Sequence, residues 1–312
     1  MKRLFFSCCL LLAISARADL ASDFINMSSE SLVERMLVGL KEHLEKRIQD
    51  AQVIETPFPY LVVDDLLPDD FYEAALRLWP NNEDFVGRSY MGRMPTNYGC
   101  LEQTALNKNQ KIFWRTFGEV IVNRFIKPAV VEKLKPYFKY KYGMSNYPIE
   151  SLNMGDFINL RQDSLLDCYY TYANHPHVDQ LNIFTAVLIY FASDDEHPDL
   201  GTTLFSLEPA GDPNGGNYGG YPKSIGKIPY KRNRMHCMFQ SPTSWHGTDP
   251  SPYDTAYLRR IFFAPIFLSP EFMEAHYKGV YRRTYADDYY FDHRFLHKGN
   301  WIGIWDHSDT YK

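Results

Sequence analysis

Apolar residues recur at every fourth position through Leu32, Met36, Leu40, Leu44 and Ile48. That spacing places them on one face of a helix running from Ser31 to Asp50. Ser31, with Glu34 three residues on, forms a capping box at its start. Thr56-Pro57-Phe58-Pro59 breaks the chain, and Tyr60 to Val63 is an apolar run of strand length. Asp69 and Asp70 open a second helix through Ala74, Ala75, Leu78 and Trp79, ended by Pro80. A long helix is predicted from about Gln110 to Lys127, interrupted at Pro128, with a shorter continuation to about Lys135 that Pro136 stops.

Beyond about residue 150 the period changes. Phe157 to Leu160, Phe184 to Phe191, Thr202 to Phe205, His236 to Phe239 and Ile261 to Phe267 are short β-branched or aromatic runs separated by turn formers. These predict antiparallel strands of a sandwich or barrel. The fold expected is therefore α+β, a β-barrel with N-terminal helices buttressing one face. Gly211 to Gly226 holds six Gly and two Pro. It reads as an inserted loop, either a surface excursion or a lid at the substrate. It is not a phosphate loop, because Gly226-Lys227 lacks the upstream Gly and the following Ser or Thr.

Composition narrows the functional classes. Hydrophobic residues make up 45% of the 312-residue chain, enough for a core. With 33 basic against 38 acidic residues the net charge is −5, which argues against general nucleic-acid binding. Lys2 and Arg3 precede an apolar run from Leu4 to Ile14, and Ala16-Arg17-Ala18 offers a cleavage site. This is the pattern of a secretory signal peptide over residues 1–18, and the run is too short to span a ~30 Å hydrocarbon core. The expectation is a chain that matures near Asp19 and is exported to a secretory lumen, the periplasm or the exterior, with no stable membrane insertion. Removal of Cys8 and Cys9 would leave Cys100, Cys168 and Cys237, an odd number that allows at most one disulfide and does not choose it.

The chemistry concentrates in His177-x-Asp179 and His246, 69 positions after His177. Residues i and i+2 of a strand share a face, so His177 and Asp179 can reach one ion together. Two imidazoles and one carboxylate on one face of an octahedron leave three positions open, the donor set that suits Fe(II). Arg259 and Arg260 follow, opening the apolar run Ile261 to Ala264. A buried arginine there calls for a carboxylate partner, either a bound acid or an internal Asp or Glu. Alternation lets only one of the two face the interior. His175 and His236 are further candidates near the same strands, read as neighbours of the site or as surface groups.

The stretch Leu160-Arg161-Gln162-Asp163, then Tyr172-Ala173-Asn174-His175-Pro176-His177-Val178-Asp179, Phe184-Thr185-Ala186-Val187-Leu188-Ile189-Tyr190 and Gly201-Thr202, resembles the core of the Fe(II)/2-oxoglutarate-dependent dioxygenases, in particular the prolyl-hydroxylase-like branch. Asn233-Arg234, Phe239, Ser244-Trp245-His246-Gly247 and Arg259 resemble their closing strands, and Pro59 to Pro68 resembles their first strand and helix start. The segment Asp163 to Tyr172 is longer than the family's usual loop and lacks its glycine, and Ile261 replaces a small hydroxyl residue.

The resemblance implies a double-stranded β-helix, or jelly-roll, over residues 55–268, with a helical segment at 19–54 and an aromatic extension at 269–312. It implies Fe(II) on His177, Asp179 and His246, 2-oxoglutarate held by Arg259, with Tyr172 lining its pocket, and Thr185 and Thr202 as further lining candidates. O2 would be consumed and succinate and CO2 released as the substrate is hydroxylated. An exported enzyme with an open rim points to a protein or glycan substrate, though a different oxidation fits the same residues. The rival reading is a non-catalytic or cupin-type metal-binding jelly-roll, which needs no carboxylate-binding arginine.

Overall fold

The computed structural model describes residues 33, 36–81, 84, 93–97, 104, 106–141, 143–158, 164–168, 174–208, 221–249, 259–277, 296–297 and 300–301. The expected signal peptide, the Ser31–Glu34 capping box, Cys100, Tyr172, the stretch 211–220, the tail from Tyr281 to Tyr290 and Trp305 lie outside them. For Cys168 and Trp301 the backbone alone is described.

The chain is α+β. Strands β1 (Val53–Ile54), β2 (Tyr60–Val63), β3 (Arg93–Asn97), β4 (Phe157–Ile158), β5 (Ser164–Cys168), β7 (Ile183–Tyr190), β10 (Met235–Phe239) and β12 (Arg259–Leu268) make one sheet, in the order β1-β2-β10-β7-β12-β5-β3 with β4 also on β12. A second, four-stranded sheet has β6 (Asn174–His177), β8 (Thr202–Glu208), β9 (Tyr221–Ile228) and β11 (His246–Thr248), in the order β6-β11-β8-β9. Every pairing within the two is antiparallel. A further hairpin joins β13 (Leu296–His297) to β14 (Asn300–Trp301).

Alternation gives the larger sheet two different faces. Val187, Ile189, Cys237, Phe239, Phe262 and Ala264 join the principal core with the helices. Leu188, Tyr190, Met238, Ile261 and Phe263 point the other way. There Met238 meets Leu204 of β8 and Ile228 of β9, so the two sheets face one another. Arg234 clamps Asp64 with Nε at 2.6 Å and Nη2 at 2.9 Å, tying the end of β2 to the approach to β10.

The helices are α1 (Leu40–Asp50), α2 (Asp69–Arg77), α3 (Lys108–Thr116), α4 (Lys127–Leu134) and α5 (Pro270–His276). Met36, Leu40, Leu44 and Ile48 are all buried, as their spacing predicts. The helix does not run unbroken from Ser31, however: Gly39 sits at φ 67° and separates a turn at residues 36–37 from α1. Only glycine takes that backbone shape without strain.

Pro128 does not interrupt its helix either. Phe117–Ile126 is π-helical and joins α3 directly to α4, with the Lys127 amide reaching back to the Val122 carbonyl. Pro128 then falls in the first turn of α4, where its missing N–H costs little. The α-helix then ends at Leu134, where Pro136 is expected to stop it, and a 3-10 segment, Lys135–Tyr140, follows. Trp114 and Phe117 press on Phe262 of β12, and Trp114 Nε1 donates to the Leu78 carbonyl at 2.7 Å.

Two loop expectations are corrected. The latter part of Gly211–Gly226 is β9, paired with β8 over seven registered positions from Thr202↔Ile228 to Glu208↔Tyr221. Ser164–Cys168, inside the segment read as a long loop, is β5, paired with β12 and β3. Among the described residues no helix is long and apolar enough to cross a membrane.

Candidate metal centre

His177 ends β6, and His246 begins β11. They are direct cross-strand partners, with ring centroids 4.5 Å apart. Val178 turns its side chain into the principal core, which leaves His177 and Asp179 on the opposite side together. The tight turn Ser241–Ser244 sets the start of β11: Ser244 Oγ donates to the Ser241 carbonyl at 2.8 Å, and Trp245 is anchored in the core.

Asp179 Oδ1 lies 3.6 Å from His177 Nε2 and 3.8 Å from His246 Nε2. The ligating atoms of the three residues lie within 4.8 Å of one another. His246 Nδ1 donates to the Ser244 carbonyl at 2.9 Å, so its Nε2 lone pair is free to face the group. Burial pushes the His246 imidazolium down to about 4, with His177 adding to the effect, so the ring is neutral at physiological pH. Burial alone would raise Asp179, but His246, His177 and Lys141 outweigh it and hold the carboxyl below its ordinary range. Neutral imidazoles and an ionised carboxylate are the protonation states a divalent cation requires. The donor set thus fits a first-row metal of the Fe(II) type.

Behind Asp179 stands Gln240, buried at the end of β10. Its Nε2 donates to Asp179 Oδ2 at 2.7 Å, and its Oε1 accepts from Ser244 Oγ at 3.0 Å. Lys141, also buried, donates from Nζ to the carbonyls of Ile183 at 2.8 Å and Gln240 at 3.3 Å. Burial lowers its ammonium to about 7, with Asp179 opposing.

Arg259 opens β12 and is 4% exposed. Its Nη1 donates to Thr248 Oγ1 at 3.1 Å, and its Nη2 to Tyr190 Oη at 3.2 Å and Thr202 Oγ1 at 3.3 Å. Tyr190 and Thr202 are themselves 2.9 Å apart through their hydroxyls. These partners come from both sheets, so the guanidinium lies between them. Thr248 is two residues beyond His246 on β11, which puts Arg259 on the order of 7 Å further along that strand. His236 lies on the same side of β10, wholly buried, its ring 4.9 Å from that of Tyr190, and among the described residues neither ring nitrogen has a hydrogen-bond partner.

The sequence candidates therefore separate. His177, Asp179 and His246 are brought together, and Thr202 is brought to Arg259. Arg260 is half-buried on the other face of β12, its main-chain N–H donating to Tyr230 Oη at 2.8 Å and its carbonyl accepting from the Phe191 N–H at 3.0 Å. Thr185 is turned away: it sits with Val187 and Ile189 on the helix side and donates to the Met238 carbonyl at 2.8 Å. Tyr172 lies outside the described residues, and of His175 only the backbone is described.

Tyr190, Thr248, Gln240 and Lys141 were not foreseen as parts of the site. Thr248 carried a signal, two positions beyond a candidate ligand on one strand, and so did Tyr190, closing the Thr-bearing run. Lys141 had none, because it follows a 3-10 segment well before the strands that carry the site. A second cluster, Asp194, Glu196 and His197, lies on the turn after β7, with Glu196 exposed.

No family model matches the chain, and no curated protein matches it. Solved structures do. A prolyl hydroxylase from Trichoplax adhaerens, determined with a hypoxia inducible factor oxygen degradation domain peptide fragment, is 11% identical over 80% of this chain and 97% of its own, with a TM-score of 0.39. A prolyl 4-hydroxylase from Phytophthora capsici is 15% identical over 78% and 68%, with a TM-score of 0.37. A prolyl-4-hydroxylase from Pseudomonas putida is 8% identical over 81% and 99%, with a TM-score of 0.28.

Proposed function

We propose that this chain is an Fe(II)- and 2-oxoglutarate-dependent oxygenase built on a double-stranded β-helix. The observation that carries the reading is one arrangement: three metal-type donors within 4.8 Å of one another, and a buried arginine reached through Thr248, two residues from one of them. The strand orders β10-β7-β12-β5 and β6-β11-β8-β9, facing across Met238, Leu204 and Ile228, support the fold half of the proposal.

His177, Asp179 and His246 would hold the iron, which when bound supplies the electrons and open positions for O2 chemistry. Arg259 would take the distal carboxylate of 2-oxoglutarate. Tyr190, Thr202 and Thr248 are neutral hydroxyls that orient the guanidinium. A cupin-type binding module does not call for this buried, hydroxyl-braced cation.

The substrate proposed is an exported protein or glycan, by way of the signal-like N-terminus. The test is succinate release by the anaerobically loaded Fe(II) protein after O2 is admitted, against panels of peptides, glycans and small acids. Release stimulated by a peptide or glycan is expected. Stimulation by small metabolites alone would remove the polymer from the proposal, and no release with or without any candidate would remove the oxygenase.

A further inference from the structure

Asp179 has two carboxylate oxygens, and the structure treats them differently. Oδ1 faces both imidazoles, at 3.6 and 3.8 Å. Oδ2 is taken by the Gln240 amide at 2.7 Å. We propose that Gln240 is a positioning residue that confines Asp179 to ligation through one oxygen and links it to His246. The inference rests on the metal-centre reading above and deepens it.

A glutamine suits this task because its amide donates at one end and accepts at the other. Its Oε1 accepts from Ser244 Oγ at 3.0 Å and from the Asp179 amide at 3.3 Å. Turned over, the amide would present oxygen to a carboxylate and N–H groups to an amide donor, so the network admits one orientation. The backbone that carries it is tied down as well. Gln240 is 2% exposed, its main-chain N–H donates to the Phe184 carbonyl at 3.0 Å, and its main-chain carbonyl accepts from Lys141 Nζ at 3.3 Å.

The link to His246 runs through Ser244. The Ser244 hydroxyl shares its one hydrogen between the Ser241 carbonyl at 2.8 Å and Gln240 Oε1 at 3.0 Å, and the Ser244 carbonyl accepts from His246 Nδ1 at 2.9 Å. One residue at the end of β10, in the larger sheet, thereby orients two donors carried by the smaller one. A carboxylate free to bind through both oxygens would occupy one more position of the metal. Held to one oxygen, it leaves the positions that a chelating co-substrate and O2 together need.

The test uses the full chain and Co(II) alone, read by visible absorption and by affinity, with thermal unfolding as the check on the fold. Gln240→Met keeps the volume and loses both hydrogen-bonding ends. It is expected to bind Co(II) about 10- to 100-fold more weakly, with changed ligand-field bands. Gln240→Glu keeps the shape but sets a second carboxylate against Asp179, and is expected to lose at least as much affinity. Ser244→Ala frees the amide while leaving the carbonyl that holds His246, and is expected to shift the bands in the same direction with a smaller loss. This variant also covers the case in which Gln240→Met does not fold. Wild-type affinity and bands in the folded variants would overturn the role of Gln240 and leave the metal centre standing. A wild-type protein that takes up no Co(II) would overturn both.

Discussion

His236 is an imidazole sealed between two sheets, with no partner for either nitrogen among the described residues. Burial, and then the charges of Arg259 and Arg234, hold its pKa well below the ordinary 6.5. The folded state therefore keeps it neutral where the unfolded chain takes up a proton. Stability linked to this residue is complete above about 6.5 and is lost as the pH falls below it. We expect the metal-free protein to unfold more readily in urea at pH 5 than at pH 7, and His236→Leu to flatten that slope. An unchanged slope in the variant would assign the acid sensitivity to other groups. The sequence marked His236 only as a neighbour of the site. Its seclusion follows from Cys237 and Met235 turning to the helices, an alternation that short strand runs reveal only once their partners are known.

At the scale of elements, the register of β8 against β9 sets the arginine's surroundings. A Cβ added to Gly201 would stand 1.9 Å from the Ile228 carbonyl oxygen, with further contacts at 2.8 Å to the Ile228 carbonyl carbon and the Tyr230 amide. These are backbone atoms, so β8 itself would have to move, and Thr202 with it. Gly201→Ala is expected to cost ~1–3 kcal/mol in urea unfolding and to weaken 2-oxoglutarate binding through the displaced Thr202. Loss of stability with unaltered binding would separate Gly201 from the arginine's cradle. The Gly-Thr pair was legible as part of the family-like core, and β7, β10 and β12 were legible as apolar runs. β6 was legible only through the His177-x-Asp179 spacing, and β5, β9 and β11 were not, because polar, glycine and proline residues dilute them, and what makes them strands is pairing with neighbours distant in sequence.

Across the whole molecule, one principal core runs from α1 through the π-helical stretch to β7, β10 and β12. Trp114 is at its centre, wholly buried against Trp79, Phe191 and Phe262. Trp114→Ala should cost ~3–5 kcal/mol, and fluorescence and far-UV circular dichroism should report one coincident unfolding transition for the wild type. Separate transitions would mean that helices and sheet are energetically independent. The α+β character and the helical buttress were legible in the change of period near residue 150. The continuous α3 to α4 run was not, because a proline mid-pattern reads as a break unless a π-helical stretch re-sets the register before it.

If the metal site and Arg259 serve one bound molecule, 2-oxoglutarate must need both. Calorimetric titration of 2-oxoglutarate into the Fe(II)-loaded protein without oxygen is expected to show binding that depends on the metal, falls about 10- to 100-fold in Arg259→Ala as a charge-assisted pair is lost, and stays at the wild-type level in Arg260→Ala. Equal affinity in wild type and Arg259→Ala, or loss confined to Arg260→Ala, would mean that Arg259 does not hold the co-substrate.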